Sequence, residues 1–203
     1  MLAVSGGKGG TGKTTTALGL ATALADRRRK PVVIDADIDM PNLHLRAGVD
    51  DDGLERLQAG ESVATVATES ERYPGVFVIG ARPGVNLDRA LRNVFTDRPV
   101  ILDGAAGISE RAITPLRYAS ETVLVARDTP AAITDTVKSI RASRAIGVPI
   151  AGIVLHQTEA VPSTAKETLT TDPIESVPTV ENPVTDDAAR LAYDAILEHR
   201  ENA

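Results

Sequence analysis

Short apolar runs alternate with amphipathic stretches along the whole chain. Leu2 to Val4, Val32 to Asp35, Val76 to Ile79, Val100 to Asp103, Thr122 to Ala126, Ile150 to His156 and Ile174 to Val177 are rich in aliphatic residues and too short for ordinary helices, so they read as strands. Between them the spacing becomes helical. Thr14 to Arg28 places Ala17, Leu18, Ala21, Leu24 and Ala25 on one face, and helices are predicted again around Leu54–Leu57, Leu87–Val94, Glu110–Tyr118, Ala131–Ile146 and Asp186–His199. This order predicts an α/β fold in three layers, a mostly parallel central sheet flanked by helices on both faces. No repeat period or low-complexity linker interrupts it, so one domain is expected over residues 1–203.

Parallel strands bring their C-terminal ends to one edge, where loops gather ligand groups. After Leu2 to Val4 comes Gly6 to Thr15, GGKGGTGKTT, in which Gly7, four residues, then Gly12, Lys13 and Thr14 match G-x-x-x-x-G-K-[ST]. In such a loop the backbone N–H groups of Gly7, Gly9, Gly10, Thr11 and Gly12 point into a pocket that can hold phosphates. The helix that follows adds the favourable end of its dipole. Lys13 is placed to reach the β- and γ-phosphates, Thr14 to ligate Mg²⁺, and Thr15 to bond a more proximal phosphate. These residues predict binding of a nucleoside triphosphate.

Two further strand ends carry carboxylates. Asp103 closes an apolar strand ahead of Gly104-Ala-Ala-Gly107 and reads as an acid that holds Mg²⁺, with the glycines offering a backbone N–H to the γ-phosphate. Asp35, Asp37 and Asp39 follow Val33-Ile34. Asp37 is expected to orient an attacking water, Asp35 to sit in the outer shell of the metal, and Asp39 to be a solvated loop acid.

The segments KGGTGKTT, DADIDMPNL and ILDGAAGIS together resemble the deviant Walker A P-loop ATPases, the MinD/ParA superfamily, and MinD-like members in particular. The resemblance implies ATP and Mg²⁺ as cofactors and a nucleotide-dependent homodimer. On this pattern Lys8 is the signature lysine that reaches the nucleotide of the other subunit. Lys13, Asp37 and Asp103 match the in-chain phosphate lysine, the water-positioning acid of switch I and the metal acid of switch II. Gly107 matches the switch II glycine, and the backbone at Pro178 is expected near adenine. Ala105 stands where many relatives have proline. His156-Gln157 replace an asparagine and a basic residue, so His156 is read either as a base contact or as a surface histidine.

Composition narrows the branches. With 203 residues, 42% hydrophobic and only 2% aromatic, the core must be built mainly from Ala, Val, Ile and Leu. The absence of cysteine removes disulfides and cysteine-held iron–sulfur clusters. A net charge of −6 disfavours nucleic-acid binding by the whole surface. Arg27 to Lys30 are expected to complement a helix dipole, and Lys138, Arg141 and Arg144 to form a solvated face, which leaves DNA binding possible but not favoured. The polar end Leu197 to Ala203 carries no amphipathic anchor, no run is long enough to span a membrane, and cytoplasmic residence is expected. Intracellular positioning or partitioning through an unidentified protein partner is the leading expectation. Metallocentre insertion or enzyme maturation is the alternative.

Overall fold

The structure, a computed structural model, describes residues 1–107 and 109–202; Ile108 and Ala203, which fall in segments quoted above, lie outside the described residues. β1 (Leu2–Gly6) leads through the glycine-rich loop into α1 (Lys13–Asp26) and β2 (Val32–Ala36). The short helices α2 (Leu43–Ala47), α3 (Gly53–Gln58) and α4 (Val63–Val66) precede β3 (Thr68–Glu69) and β4 (Phe77–Ile79). Then follow α5 (Leu87–Leu91), β5 (Val100–Ala106), α6 (Glu110–Tyr118), β6 (Glu121–Arg127), α7 (Pro130–Ala145), β7 (Ile150–His156), α8 (Ser163–Leu169), β8 (Ile174–Val177) and α9 (Asp187–Asn202).

The strands form one sheet in the order β3-β4-β2-β5-β1-β6-β7-β8. Every pairing is parallel except β3 with β4 at the edge. Successive side chains leave the sheet on opposite faces, which explains why the inner strands are mostly aliphatic, whereas the edge strands β3 and β8 carry Glu69 and Glu175. Leu2 and Val4 of β1, Val33 of β2, Ile101 of β5 and Val123 and Val125 of β6 enter a core shared with α1 and α9. Their neighbours Ala3, Val32, Ile34, Val100 and Leu102 face a second core under α3, α5 and α6. Leu124, Ile153 and Leu155 face a third, under α7 and α8. Where α1 meets α9, a Cβ on Gly19 would overlap the ring of Tyr193, so the close approach of the two helices needs glycine there.

Most predicted elements appear, with shifted ends. α1 runs from Lys13 to Asp26 instead of Thr14 to Arg28, α5 stops at Leu91, and β5 continues past Asp103 to Ala106. α2, α4, α8 and β3 were not predicted; at two to seven residues they hold too little periodicity to stand out. The cations after α1 also differ from expectation. Arg27 pairs with Asp194, Glu198 and Glu201 of α9, so it ties two helices together rather than serving only the dipole of α1.

Candidate nucleotide site

At the C-terminal edge of the sheet, the glycine-rich loop passes from β1 to α1 with Gly12 as N-cap. Gly12 has φ 104°, and a Cβ there would lie 2.8 Å from the His156 ring, so this position is closed to larger residues for two independent reasons. With no side-chain acceptor on the cap, the first N–H groups of α1 are available to an anion. Lys13 is buried, and its Nζ donates to the Lys8 carbonyl at 3.3 Å. Burial lowers its pKa, while the charges of Asp103 and Asp37 act to raise it. Lys8 points elsewhere. It is exposed, and its ammonium lies 3.3 Å from Asp135 Oδ2 on α7.

The register of the sheet sets Asp35 of β2 directly beside Asp103 of β5. Both are buried. Desolvation pushes the Asp103 carboxyl up to about 6, against the opposing pull of the nearby Thr14 hydroxyl and the Lys13 charge. Desolvation and the charge of Asp103 push Asp35 further, to about 8. Two adjacent carboxylates cannot both be comfortably ionised away from water.

They are spent differently. Asp35 Oδ1 accepts from the Asp37 N–H at 3.2 Å, and its Oδ2 accepts from the N–H groups of Asn42 and Leu43, both at 3.1 Å. It therefore fastens both ends of the loop 37–42, a role that the sequence did not reveal, in addition to its place beside Asp103. Asp103 Oδ1 is shielded from solvent without a hydrogen-bond partner. A buried carboxylate oxygen with no partner, next to a Thr14 hydroxyl, is the donor pair that suits a hard divalent cation sharing the remaining positions with phosphate and water. Among the described residues no cluster of three or more His, Cys, Asp or Glu could hold a metal by itself. The residues fit Mg²⁺ carried in with a nucleotide.

The other predicted residues fall around this centre. Asp37 is half-buried, and its Oδ1 accepts from the Met40 N–H at 3.3 Å. The Thr14 hydroxyl donates to Asn42 Oδ1 at 3.3 Å, which joins the metal position to the same loop. Among the glycines after Asp103 of β5, the Gly107 N–H donates to the Gly6 carbonyl of the phosphate loop at 2.8 Å. Asp39 is not merely solvated: it forms an ion pair with Arg111 on α6 and so links the loop after β2 to the helix after β5.

Beside the loop lies a groove of about 240 Å³, lined by Gly10, Thr11, Gly12, Thr15, Arg46, Arg127, His156, Gln157, Pro178, Thr179, Val180 and Pro183. His156 is not a surface residue. It is buried under the loop, shares a 2.8 Å hydrogen bond with Thr16 Oγ1, and has its pKa lowered to about 4 by burial and by the Arg127 charge. A larger hollow of about 380 Å³ lies at the opposite edge of the sheet, around Met1, Arg98 and Leu197, far from these groups. The smaller groove is the candidate site, because the glycine-rich loop itself supplies Gly10, Thr11, Gly12 and Thr15 to its wall.

A parallel sheet with helices on both faces and a glycine-rich loop between the central strand and a helix defines the P-loop nucleotide-binding class. Residues 2–171 match the CobQ/CobB/MinD/ParA nucleotide-binding domain, and the chain belongs to that family. It is 32% identical over 170 residues to an uncharacterised ATP-binding protein of Methanocaldococcus jannaschii, covering 77% of this chain and 63% of that one. It is 29% identical to the antiactivator FleN of Pseudomonas aeruginosa over 154 residues, covering 70% of this chain and 55% of that protein. The chain thus spans less than two thirds of the length of these relatives. Among solved structures, the cell division ATPase MinD of Pyrococcus furiosus superposes with a TM-score of 0.80 at 26% identity, covering 99% of this chain and 98% of the other. The septum site-determining protein MinD of Pyrococcus horikoshii, complexed with Mg-ADP, shares the fold with a TM-score of 0.77 at 24% identity, covering 100% and 89%.

No helix among the described residues is long and apolar enough to cross a membrane.

Proposed function

We propose that the chain is an ATPase domain that binds ATP with Mg²⁺, hydrolyses it, and uses the nucleotide as a dimerisation switch to position or partition a cellular structure through a protein partner. The observation that carries this reading is the separation of the two loop lysines. Lys13 is buried toward the phosphate cradle, while Lys8, five residues earlier, stands on the surface against Asp135. A cation that has no work inside its own cradle is suited to act on a nucleotide held by a second copy.

In this reading the chain's residues divide the task. The loop N–H groups and Lys13 hold the phosphates, and Thr14 with Asp103 hold Mg²⁺, which supplies charge neutralisation between the phosphates when bound. Asp37 leaves Met40 to orient the attacking water. Gly107 leaves the Gly6 carbonyl to reach the γ-phosphate, and Arg111 carries that movement to the loop of Asp37 through Asp39. Lys8 leaves Asp135 and stabilises charge across the dimer. The base lies along Pro178 in the groove above His156.

The test is mass in solution by light scattering with ATP and Mg²⁺, alongside phosphate release. Wild type should turn over ATP, and Asp37→Ala should accumulate as an ATP-dependent dimer. A chain that binds no nucleotide, or that stays monomeric in every nucleotide state with hydrolysis indifferent to Lys8→Ala, would overturn the switch.

A further inference from the structure

Two arginines enter the groove without any role in the scheme above. Arg127 ends β6, and its Nη2 donates to the Gly10 carbonyl at 2.9 Å. Arg46 lies on α2, and its Nη1 reaches the Thr15 hydroxyl at 3.4 Å. β6 borders β1 on one side, and β2, from which α2 follows, lies on the other, so the two guanidiniums approach the loop from opposite flanks. Both line the same groove. Neither meets a carboxylate among the described residues.

We infer that Arg46 and Arg127 are in-chain cationic contacts to the α-phosphate of the bound nucleotide, an assignment that rests on the nucleotide-binding reading. Position is the first argument. Thr15 is the loop residue suited to the phosphate nearest the sugar, and an arginine nitrogen 3.4 Å from its hydroxyl is within reach of the same oxygen. Charge is the second. Asp37 and Asp103 lie within electrostatic reach of Lys13, and Mg²⁺ and Lys13 act at the outer phosphates, so cations on the opposite side of Thr15 would offset the charge of the innermost one. The field of Arg46 already reaches Asp103, and that of Arg127 already reaches His156. Chemistry is the third. A guanidinium presents a planar fork of donors that matches phosphate oxygens, which a lysine at either position would not reproduce.

The consequence is a site that grips triphosphate and diphosphate alike within one chain. Contacts to the α-phosphate do not sense the γ-phosphate. Nucleotide retention would then be separate from the switch, which depends on Lys8, Asp37 and Gly107.

The experiment is calorimetric titration of the full chain with Mg-ADP and with the slowly hydrolysed Mg-ATP analogue AMPPNP, for wild type, Arg46→Gln, Arg127→Gln and the corresponding lysine variants. Lys13→Ala serves as the control that removes phosphate binding, and thermal melting confirms that each variant is folded. Each glutamine variant should bind both nucleotides roughly tenfold more weakly, by the same factor for each, with a smaller loss for lysine. The loss should shrink as salt is raised, because both side chains are exposed. Folded glutamine variants with wild-type affinity would overturn the assignment, as would a loss confined to the triphosphate, which would place the contact at the γ-phosphate. If wild type binds neither nucleotide, the ATPase reading fails first and takes this assignment with it.

Discussion

Lys8 Nζ stands 3.3 Å from Asp135 Oδ2, and Lys138 takes the other oxygen of the same carboxylate at 2.9 Å. The two cations hold the Asp135 carboxyl below its usual range, Lys138 contributing first. Lys8 is 56% exposed, so its share of the pair is screened by water and contributes little to folding. The contact gives the loop lysine a resting place on α7 that costs little to leave.

Removing the lysine should therefore change function and spare stability. Lys8→Ala should lower ATP turnover by roughly a hundredfold or more, in line with the loss of a trans-acting cation in phosphoryl transfer, while the melting temperature stays near that of wild type. In the Asp37→Ala background, the same change should weaken the ATP-dependent dimer seen by light scattering. Unaltered turnover would remove Lys8 from the mechanism.

Asp103→Asn should stabilise the nucleotide-free chain. The Asp103 carboxyl is raised to about 6 by burial, so at pH 8 its charge is held against desolvation and against Asp35 beside it. The sign is that of a raised folded-state pKa: stability is full below the unfolded value near 3.8 and falls as pH rises through about 6. Neutral asparagine should return on the order of 1–3 kcal/mol at pH 8, read from urea unfolding without nucleotide. The same variant should lose Mg²⁺-dependent gain in nucleotide affinity. A destabilised apo variant would contradict the electrostatic account.

His156 predicts the opposite slope in an overlapping window, so the two groups are separated by their variants and not by pH alone. Its pKa falls from 6.5 to about 4 on folding, so the unfolded chain takes up a proton that the native chain refuses. Stability is full above 6.5 and is lost as pH falls toward 4, by up to about 3 kcal/mol for this group. His156→Asn removes that titration. Unfolding curves for wild type and variant should diverge between those limits and run parallel above pH 7; parallel curves throughout would mean that the ring is not buried neutral under the loop.

Gly12→Ala should abolish nucleotide binding and also destabilise the chain without ligand, since the new methyl meets both a strained φ of 104° and the His156 ring at 2.8 Å. Pairing it with His156→Ala should relieve the clash and recover part of the stability, but not the strain. A double variant no more stable than the single one would show that the backbone term dominates.

The sequence alone determined whatever depends on neighbours in the chain. The strands were legible because the inner ones are buried on both faces and so are mostly aliphatic, and the phosphate loop was legible because its glycines, Lys13 and Thr14 act within one turn of backbone. Resemblance, rather than spacing, singled out Lys8. Tertiary structure decided what depends on distant partners. Asp35 was expected in the outer shell of the metal, and only the pairing of β2 with β5 and the contacts of its oxygens with the N–H groups of Asp37, Asn42 and Leu43 revealed its hold on the loop 37–42. His156 had two readings until folding set it beneath Gly12, 144 residues away in the chain. Arg46, Arg127 and Asp135 carried no local mark at all, because a charge becomes part of a site only when strand order brings it to the same edge.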